Sequence, residues 1–317
     1  MKSENTVVKK RLPLFLRVIL GILGVITATL VVLVLAGTIL FNIVNRTNGS
    51  ILTSGETRRY LLYVPETIDP SQPVSLVITF HGFAQWPANQ ANVSQWNKLA
   101  EKEGFIVVYP SGTNFPKRWR TSPEQGEGMT KDITFISDLI DQLLQEYNID
   151  PKRVYANGLS NGGGMSLALG CELSERIAAI GGVGGAYIYP LDECKPARVV
   201  PMIAFHGTTD PIVPYYGGPS ERFDVPFPNI PAWVEARATL NGRDPAPILL
   251  TTVGDVSGMR YTDCTDGADV VFYSIAGGGH SWPGGKPLPE GIVGETNMDI
   301  SATKTIWEFF SRYTLNP

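Results

Sequence analysis

Histidine is scarce in this 317-residue chain: only His81, His206 and His280 occur. Cysteine is as scarce, at Cys171, Cys194 and Cys264. There is no Cys-x-x-Cys pair and no His/Cys cluster, so the ligand spacing of a metal centre is missing and neither metal nor cofactor is expected. A basic patch is also missing. The net charge of −4 conceals an N-terminal excess of Lys2, Lys9, Lys10, Arg11 and Arg17 over Glu4, and the remainder, with 21 basic and 29 acidic residues, stands at −8. Such a mildly acidic body does not bind nucleic acid. No internal repeat and no low-complexity tract is present.

One stretch lacks charge altogether. Val18 to Phe41 gives 24 uncharged, mostly apolar residues. As a helix at about 1.5 Å per residue it would reach about 36 Å, enough for a hydrocarbon core of about 30 Å. A secretory signal has a shorter apolar region, about 7–15 residues, and Leu35-Ala36-Gly37 is a poor cleavage site. The expectation is a retained transmembrane anchor (18–41) behind a basic cytoplasmic tail (1–17), with everything after Phe41 outside the cell. Cleavage would instead leave a secreted protein. Asn42 to Ser54 reads as a linker, and 55–317 as one α/β domain.

Within that domain Gly158-Leu159-Ser160-Asn161-Gly162 is a G-x-S-x-G run. An apolar run at Arg153–Ala156 precedes it, and a small-residue, helix-compatible segment follows. Strand, sharp turn, helix is the setting of a nucleophile elbow, whose glycines let the backbone pass through a strained turn that presents the serine hydroxyl. By itself the pattern also fits a glycine-rich turn, so the rest of the constellation decides.

A serine nucleophile needs a base. His280 lies in a flexible loop, Gly277-Gly278-Gly279-His280, after the strand pattern Val270–Ala276. His206 ends the apolar run Val199–Phe205 and reads as a strand-end structural histidine. Asp210, in the loop beyond it, is placed to orient His280. Asp263, Asp266 and Asp269 precede or begin the last strand, at the wrong edge of a sheet. Ser160, Asp210, His280 is the order of the α/β-hydrolases. There, one oxyanion-hole N–H comes from the residue after the nucleophile, Asn161. The other comes from the loop after the third strand, assigned to Phe83 in His81-Gly82-Phe83, with Gly82 as the alternative. His81 is expected to brace that loop.

Strand patterns at Arg59–Val64, Ser75–Phe80, Phe105–Tyr109, Arg153–Ala156, Ile177–Gly182, Val199–Phe205 and Val270–Ala276 alternate with helical ones at Asn92–Glu103, Lys131–Tyr147, Gly162–Leu173 and Ser301–Tyr313. Alternation implies a mostly parallel sheet flanked by helices, an α/β-hydrolase fold preceded by one N-terminal transmembrane helix. In the second helix Ile133, Ile136, Ile140 and Leu144 form a core stripe. Residues 211–235, rich in Pro, Gly and aromatics, are expected to form a lid or pocket wall. Cys171 and Cys194 are the best candidates for a disulfide, leaving Cys264 unpaired. Asn45, Asn48 and Asn92 head glycosylation patterns that matter only in a glycosylating host.

With these pieces in place, the chain resembles the secreted polyhydroxybutyrate depolymerase-like and feruloyl esterase family of α/β-hydrolases from about Thr57 to Phe310. The resemblance is carried by His81-Gly82-Phe83, Tyr109 to Gly112, Asp132 to Ile136, Tyr147 to Tyr155, Gly158 to Gly163, His206 to Asp210 and Gly277 to Gly285. It departs at Asn241-Gly242-Arg243, where the family often has a cysteine in the third position, and at Arg120 to Pro123 after Trp119. The resemblance implies a serine esterase acting on extracellular carboxylic esters, of hydroxyalkanoate type or feruloyl/acetyl polysaccharide type, with Ser160, Asp210 and His280 at the catalytic positions. Trp282 and Trp119 are candidates for the substrate pocket. Two rivals remain: a serine peptidase of the prolyl-oligopeptidase type, and a non-catalytic surface binding protein on a hydrolase scaffold.

Overall fold

The computed structural model describes residues 12–220, 226–242 and 246–315. Residues 1–11 of the expected basic tail, 221–225 of the expected pocket wall, and Arg243 lie outside them. The chain divides into two units, residues 1–45 and 46–317.

The first unit contains one helix, α1 (Leu14–Val44), with Pro13 at its N-cap. Its 31 residues make about 46 Å of helix, long and apolar enough to cross a membrane. The apolar helix extends beyond the expected 18–41 at both ends. The hydroxyls of Thr27, Thr29 and Thr38 donate back to the carbonyls of Leu23, Val25 and Val34, so these polar side chains satisfy themselves within the helix.

The second unit is built on a ten-stranded sheet. In chain order the elements are β1 (Gly49–Thr53), β2 (Glu56–Tyr63), β3 (Val74–Phe80), α2 (Pro87–Ser94), α3 (Trp96–Glu103), β4 (Ile106–Pro110), α4 (Glu127–Glu146), β5 (Ile149–Leu159), α5 (Asn161–Glu172), β6 (Ala179–Val183) and β7 (Met202–Gly207). There follow a two-residue pair, β8 (Gly218–Pro219) with β9 (Pro226–Phe227), then α6 (Ile230–Leu240), β10 (Ile248–Leu249), β11 (Val256–Tyr261), β12 (Val270–Ile275), α7 (Glu290–Val293) and α8 (Ala302–Phe310). The sheet order is β1-β2-β4-β3-β5-β6-β7-β12-β11-β10. The central run from β4 to β12 is parallel, with antiparallel strands at both edges.

Period-2 alternation feeds two cores, one on each face. Leu76, Ile78 and Phe80 of β3 join Ile106 and Val108 of β4 and the buried side of α4 and α5. Val77, Val107 and Tyr109 face the other way, onto Trp96, Ala100, Ile306, Phe309 and Phe310 of α3 and α8. On α4 the fully buried face is Met129, Asp132, Phe135, Ile136, Leu139, Ile140 and Leu143. Ile133 and Leu144 of the expected stripe sit at its margin.

Three differences from the sequence reading concern elements. Residues 49–53, expected to be linker, form edge strand β1, paired to β2 from Gly49↔Tyr60 to Thr53↔Glu56. The expected helix Asn92–Glu103 is two helices, because Gln95 adopts a left-handed conformation (φ 56°) between them. Strand β11 and helix α6 were not anticipated.

Asp132 is an acid on the buried face of α4. One carboxylate oxygen accepts from Arg58 (2.9 Å) and the other from the backbone N–H of Arg120 (2.9 Å); Arg58 itself is 4% exposed and lies over the Phe135 ring. Removing one partner of a buried pair strands the other charge. Asp132→Ala is therefore expected to lower the unfolding free energy by about 3–5 kcal/mol in urea titrations, whereas a loss under about 1 kcal/mol would assign the pair only the weight of a surface ion pair. Cys171 at the end of α5 is bonded to Cys194, 23 residues on, a closure contributing about 3 kcal/mol. Cys264 is buried and not disulfide-bonded.

Candidate active site

The strand order places the site. From β3 the chain steps to β4 on one side and then to β5 on the other, so the winding reverses between β3 and β5. Loops at the carboxyl ends of these strands flank a crevice, where open α/β sheets bind ligands. Ser160 follows β5 and His81-Gly82-Phe83 follows β3.

Ser160 sits at the N-cap of α5 with φ 57°, ψ −119°. A non-glycine residue held there stores about 1–3 kcal/mol, persisting only where its surroundings fix it. Here the Ser160 N–H donates to Val183 O (2.9 Å), and its carbonyl accepts from Gly164 and Ala186. The turn closes so tightly that a Cβ on Gly158 would fall 2.4 Å from the Gly162 backbone, and one on Gly162 would fall 2.3 Å from Phe80 O. Both glycines of the motif are thus required by close approach.

His280 Nδ1 lies 2.7 Å from Asp210 Oδ2. A carboxylate can only accept, so Nδ1 carries the proton and Nε2 keeps its lone pair in the neutral ring. The other oxygen of Asp210 accepts from the N–H groups of Ile212 and Val213 (2.8 Å each). Burial pushes the Asp210 carboxyl up, but His280, His206 and the Val213 N–H outweigh it and hold the group below its ordinary range. His206 is buried and bonds Val213 O through Nε2 (2.9 Å), bracing the Asp210 loop as a strand-end structural residue. Asp269, at the start of β12, instead pairs with Arg260.

His81 is fully buried and engaged at both nitrogens: Nδ1–H donates to Gly82 O (2.8 Å) and Nε2 accepts from Gly112 N–H (3.0 Å). Aiming the Gly82 carbonyl at this ring turns the N–H of the same peptide, that of Phe83, to the opposite side. Burial lowers the His81 pKa to about 4. The unfolded chain, with histidine near 6.5, therefore takes up a proton that the folded chain refuses between about pH 6.5 and 4. Stability is expected to fall on acidification, by about 2 kcal/mol for His81 alone between pH 7 and 5, and His206 is shifted by burial in the same direction. Asp210 adds nothing in this window, since its contribution is lost only at still lower pH. Urea midpoints at pH 7 and 5 check this; a midpoint unchanged or higher at pH 5 would contradict it.

Asn161, the first residue of α5, uses its side chain as a clamp. Its Oδ1 accepts from Trp119 N (2.7 Å) and its Nδ2 donates to Trp119 O (3.0 Å). Its backbone N–H belongs to the first turn, which has no intrahelical acceptor.

Two cavities meet at Ser160. One of about 180 Å³ is walled by Phe83, Trp119, Asn161, Ile188, Val213 and Phe227. The other, about 270 Å³, contains His280 with Gly82, Phe83, Ile212, Leu288 and Ile292. A larger chamber of about 600 Å³, where Tyr187 stacks on Trp233, shares Gln125, Ile188 and Phe227 with the first. Described residues of 211–235 thus form pocket wall, as expected. Trp119 lines the smaller cavity. Trp282 does not line any of these: it is 1% exposed, its indole N–H donates to Thr303 Oγ1 (2.9 Å), and it packs in the α3/α8 core. Its assignment to substrate is corrected; a buried indole goes where its N–H finds an acceptor. Sequence reasoning missed the Asn161 clamp, Gln85, whose Oε1 accepts from Gly82 N–H (3.2 Å), and the apolar pair Leu288 and Ile292. Only their nearness to recognised motifs could have flagged them. Among the described residues no group of His, Cys, Asp and Glu could hold a metal.

Residues 58–197 match a family model described as Esterase PHB depolymerase. The bifunctional acetylxylan esterase/xylanase XynS20E of Neocallimastix patriciarum is 30% identical over 264 residues, 83% of this chain but 34% of that protein. Feruloyl esterase B of Piromyces equi is 31% identical over 237 residues, 72% of this chain and 44% of that protein. The chain thus spans less than half the length of these relatives. Among solved structures, the acetyl xylan esterase from Aspergillus awamori superposes with a TM-score of 0.58 at 17% identity, covering 83% of this chain and 98% of that one, and shares its fold. With a mostly parallel sheet, an elbow at Ser160 and these relatives, the chain has the α/β-hydrolase fold and is similar to the polyhydroxybutyrate depolymerase-like and feruloyl esterases.

Proposed function

We propose that this protein is a serine hydrolase of carboxylic esters, held at the outer face of a membrane by α1. One observation carries the reading: the His280–Asp210 pair, at 2.7 Å, borders the cavity that Ser160 and Phe83 also line. Ser160 Oγ attacks the ester carbonyl while His280 Nε2 takes its proton. The N–H groups of Phe83 and Asn161 receive the negative charge that develops on the carbonyl oxygen. His280 then returns the proton to the departing alcohol, so the alcohol leaves on the His280 side and the acyl group occupies the cavity beside Trp119. Water, activated by the same imidazole, releases the acyl group from Ser160. The location is supported by the basic residues that precede α1 and by the Cys171–Cys194 bond, which suits an oxidising compartment.

The test is turnover of p-nitrophenyl acetate and butyrate, methyl ferulate, a 3-hydroxybutyrate oligomer and a peptide amide by the full chain in detergent. Fluorophosphonate labelling runs alongside. Serine-dependent ester hydrolysis with labelling of Ser160 is the expected outcome. Absence of both labelling and turnover would overturn the reading, and turnover of the amide alone would favour a peptidase.

A further inference from the structure

We infer that the alcohol released at this site is aliphatic rather than a sugar, and that Leu288 and Ile292 are the residues that select it. The inference deepens the ester-hydrolase reading and rests on it, because that reading fixes which cavity receives the alcohol. The general acid must reach the departing oxygen, and of the three cavities described His280 borders the one of 270 Å³. The chemistry of that cavity is one-sided. Beyond Ser160, His280 and the Gly82-Phe83 segment, its wall consists of Ala84, Gln85, Ile212, Leu288, Ile292 and Val293, five of the six apolar. Gln85 is the sole polar side chain there apart from Ser160 and His280, and its Oε1 is already committed to the Gly82 N–H.

A sugar presents a hydroxyl on nearly every carbon. Seated here it would give up water at each hydroxyl and find almost no side-chain partner in return. An alkyl chain loses nothing by the same transfer and covers apolar surface. Ile292 has such surface to cover: it stands 52% exposed on the short helix α7, at the His280 side of the site. The aromatic chamber of Tyr187 and Trp233 offers no escape from this argument. It adjoins the cavity beside Trp119, on the acyl side of Ser160, and shares no wall residue with the His280 cavity.

The experiment holds the acyl group constant and varies the alcohol. Full-length protein in detergent is assayed on p-nitrophenyl acetate, butyl acetate and a fully acetylated methyl xyloside. The same substrates are given to Ile292→Asp and, as the conservative variant, Ile292→Val. The expected result is at least about tenfold higher kcat/KM for butyl acetate than, per acetyl group, for the sugar ester, the scale set by burying two or more methylenes. Ile292→Asp is expected to cut that ratio about tenfold, through KM rather than kcat, and Ile292→Val to keep it. A wild-type preference for the sugar acetate, or a ratio that Ile292→Asp leaves unchanged, overturns the inference while hydrolysis of p-nitrophenyl acetate keeps the ester-hydrolase reading. Failure on all three esters overturns both.

Discussion

Ser160→Ala is expected to lower kcat on p-nitrophenyl acetate by about five to six orders of magnitude, since in serine hydrolases loss of the nucleophile alone removes nearly all that the triad contributes. Oxyanion donors and binding would sustain a small residue of activity. Alanine retains a Cβ, so the strained φ of 57° persists and stability should hardly change. Ser160→Gly separates chemistry from strain. Glycine adopts this φ and ψ freely, and the relief of about 1–3 kcal/mol exceeds the roughly 1 kcal/mol by which glycine's greater unfolded-state freedom opposes folding. The glycine variant is therefore expected to be as inactive as the alanine one and to melt at the same or a higher temperature. Activity above about one hundredth of wild type in either variant would remove Ser160 from the role. A glycine variant distinctly less stable than the alanine variant would show that the elbow is not strained.

The parts of this site that could be read from the chain are those where one residue type answers one physical demand. Gly158 and Gly162 had to be glycine because backbone lies within 2.4 Å of where a Cβ would be. With only three histidines, each could be given its own expected role from its setting: His81 directly after one strand, His206 at the end of another, and His280 in a glycine-rich loop beyond the last. Core strands were legible because their apolar runs are continuous and short. Trp282 failed for the opposite reason. An indole two residues from the base satisfies a pocket and a core equally well on paper, and the Thr303 hydroxyl that decided the matter is 21 residues away. The break at Gln95 was hidden because nothing in its side chain announces a left-handed backbone. Edge strand β1 was hidden because its alternating burial does not follow polarity: Leu52 points outward and Thr53 is buried, in a composition that also suits a linker. The Arg58–Asp132 pair crosses 74 residues, a separation at which sequence carries no pairing signal.

Asp210→Asn is expected to lower kcat by about four orders of magnitude with little loss of the fold. The asparagine carbonyl oxygen can take the place of Oδ1 and go on accepting from Ile212 and Val213, two buried N–H groups that would otherwise be orphaned. That choice turns the amide nitrogen toward His280 Nδ1. An amide nitrogen donates, so Nδ1 must become the acceptor and the proton moves to Nε2, the atom that has to take the proton of Ser160. The imidazole stays in place with its lone pair on the wrong side. Asp210→Ala, by contrast, strands both N–H groups and should also cost stability, about 1–3 kcal/mol for each group left unsatisfied. The two variants thus divide orientation from structure: similar losses of kcat, with a drop in melting temperature only for alanine. Because the proposed mechanism makes Ser160, His280 and Asp210 one unit, Asp210→Asn in a Ser160→Ala background should lower the residual rate by far less than four orders. Full additivity in that double variant would mean that Asp210 acts on something other than the path from Ser160 to His280.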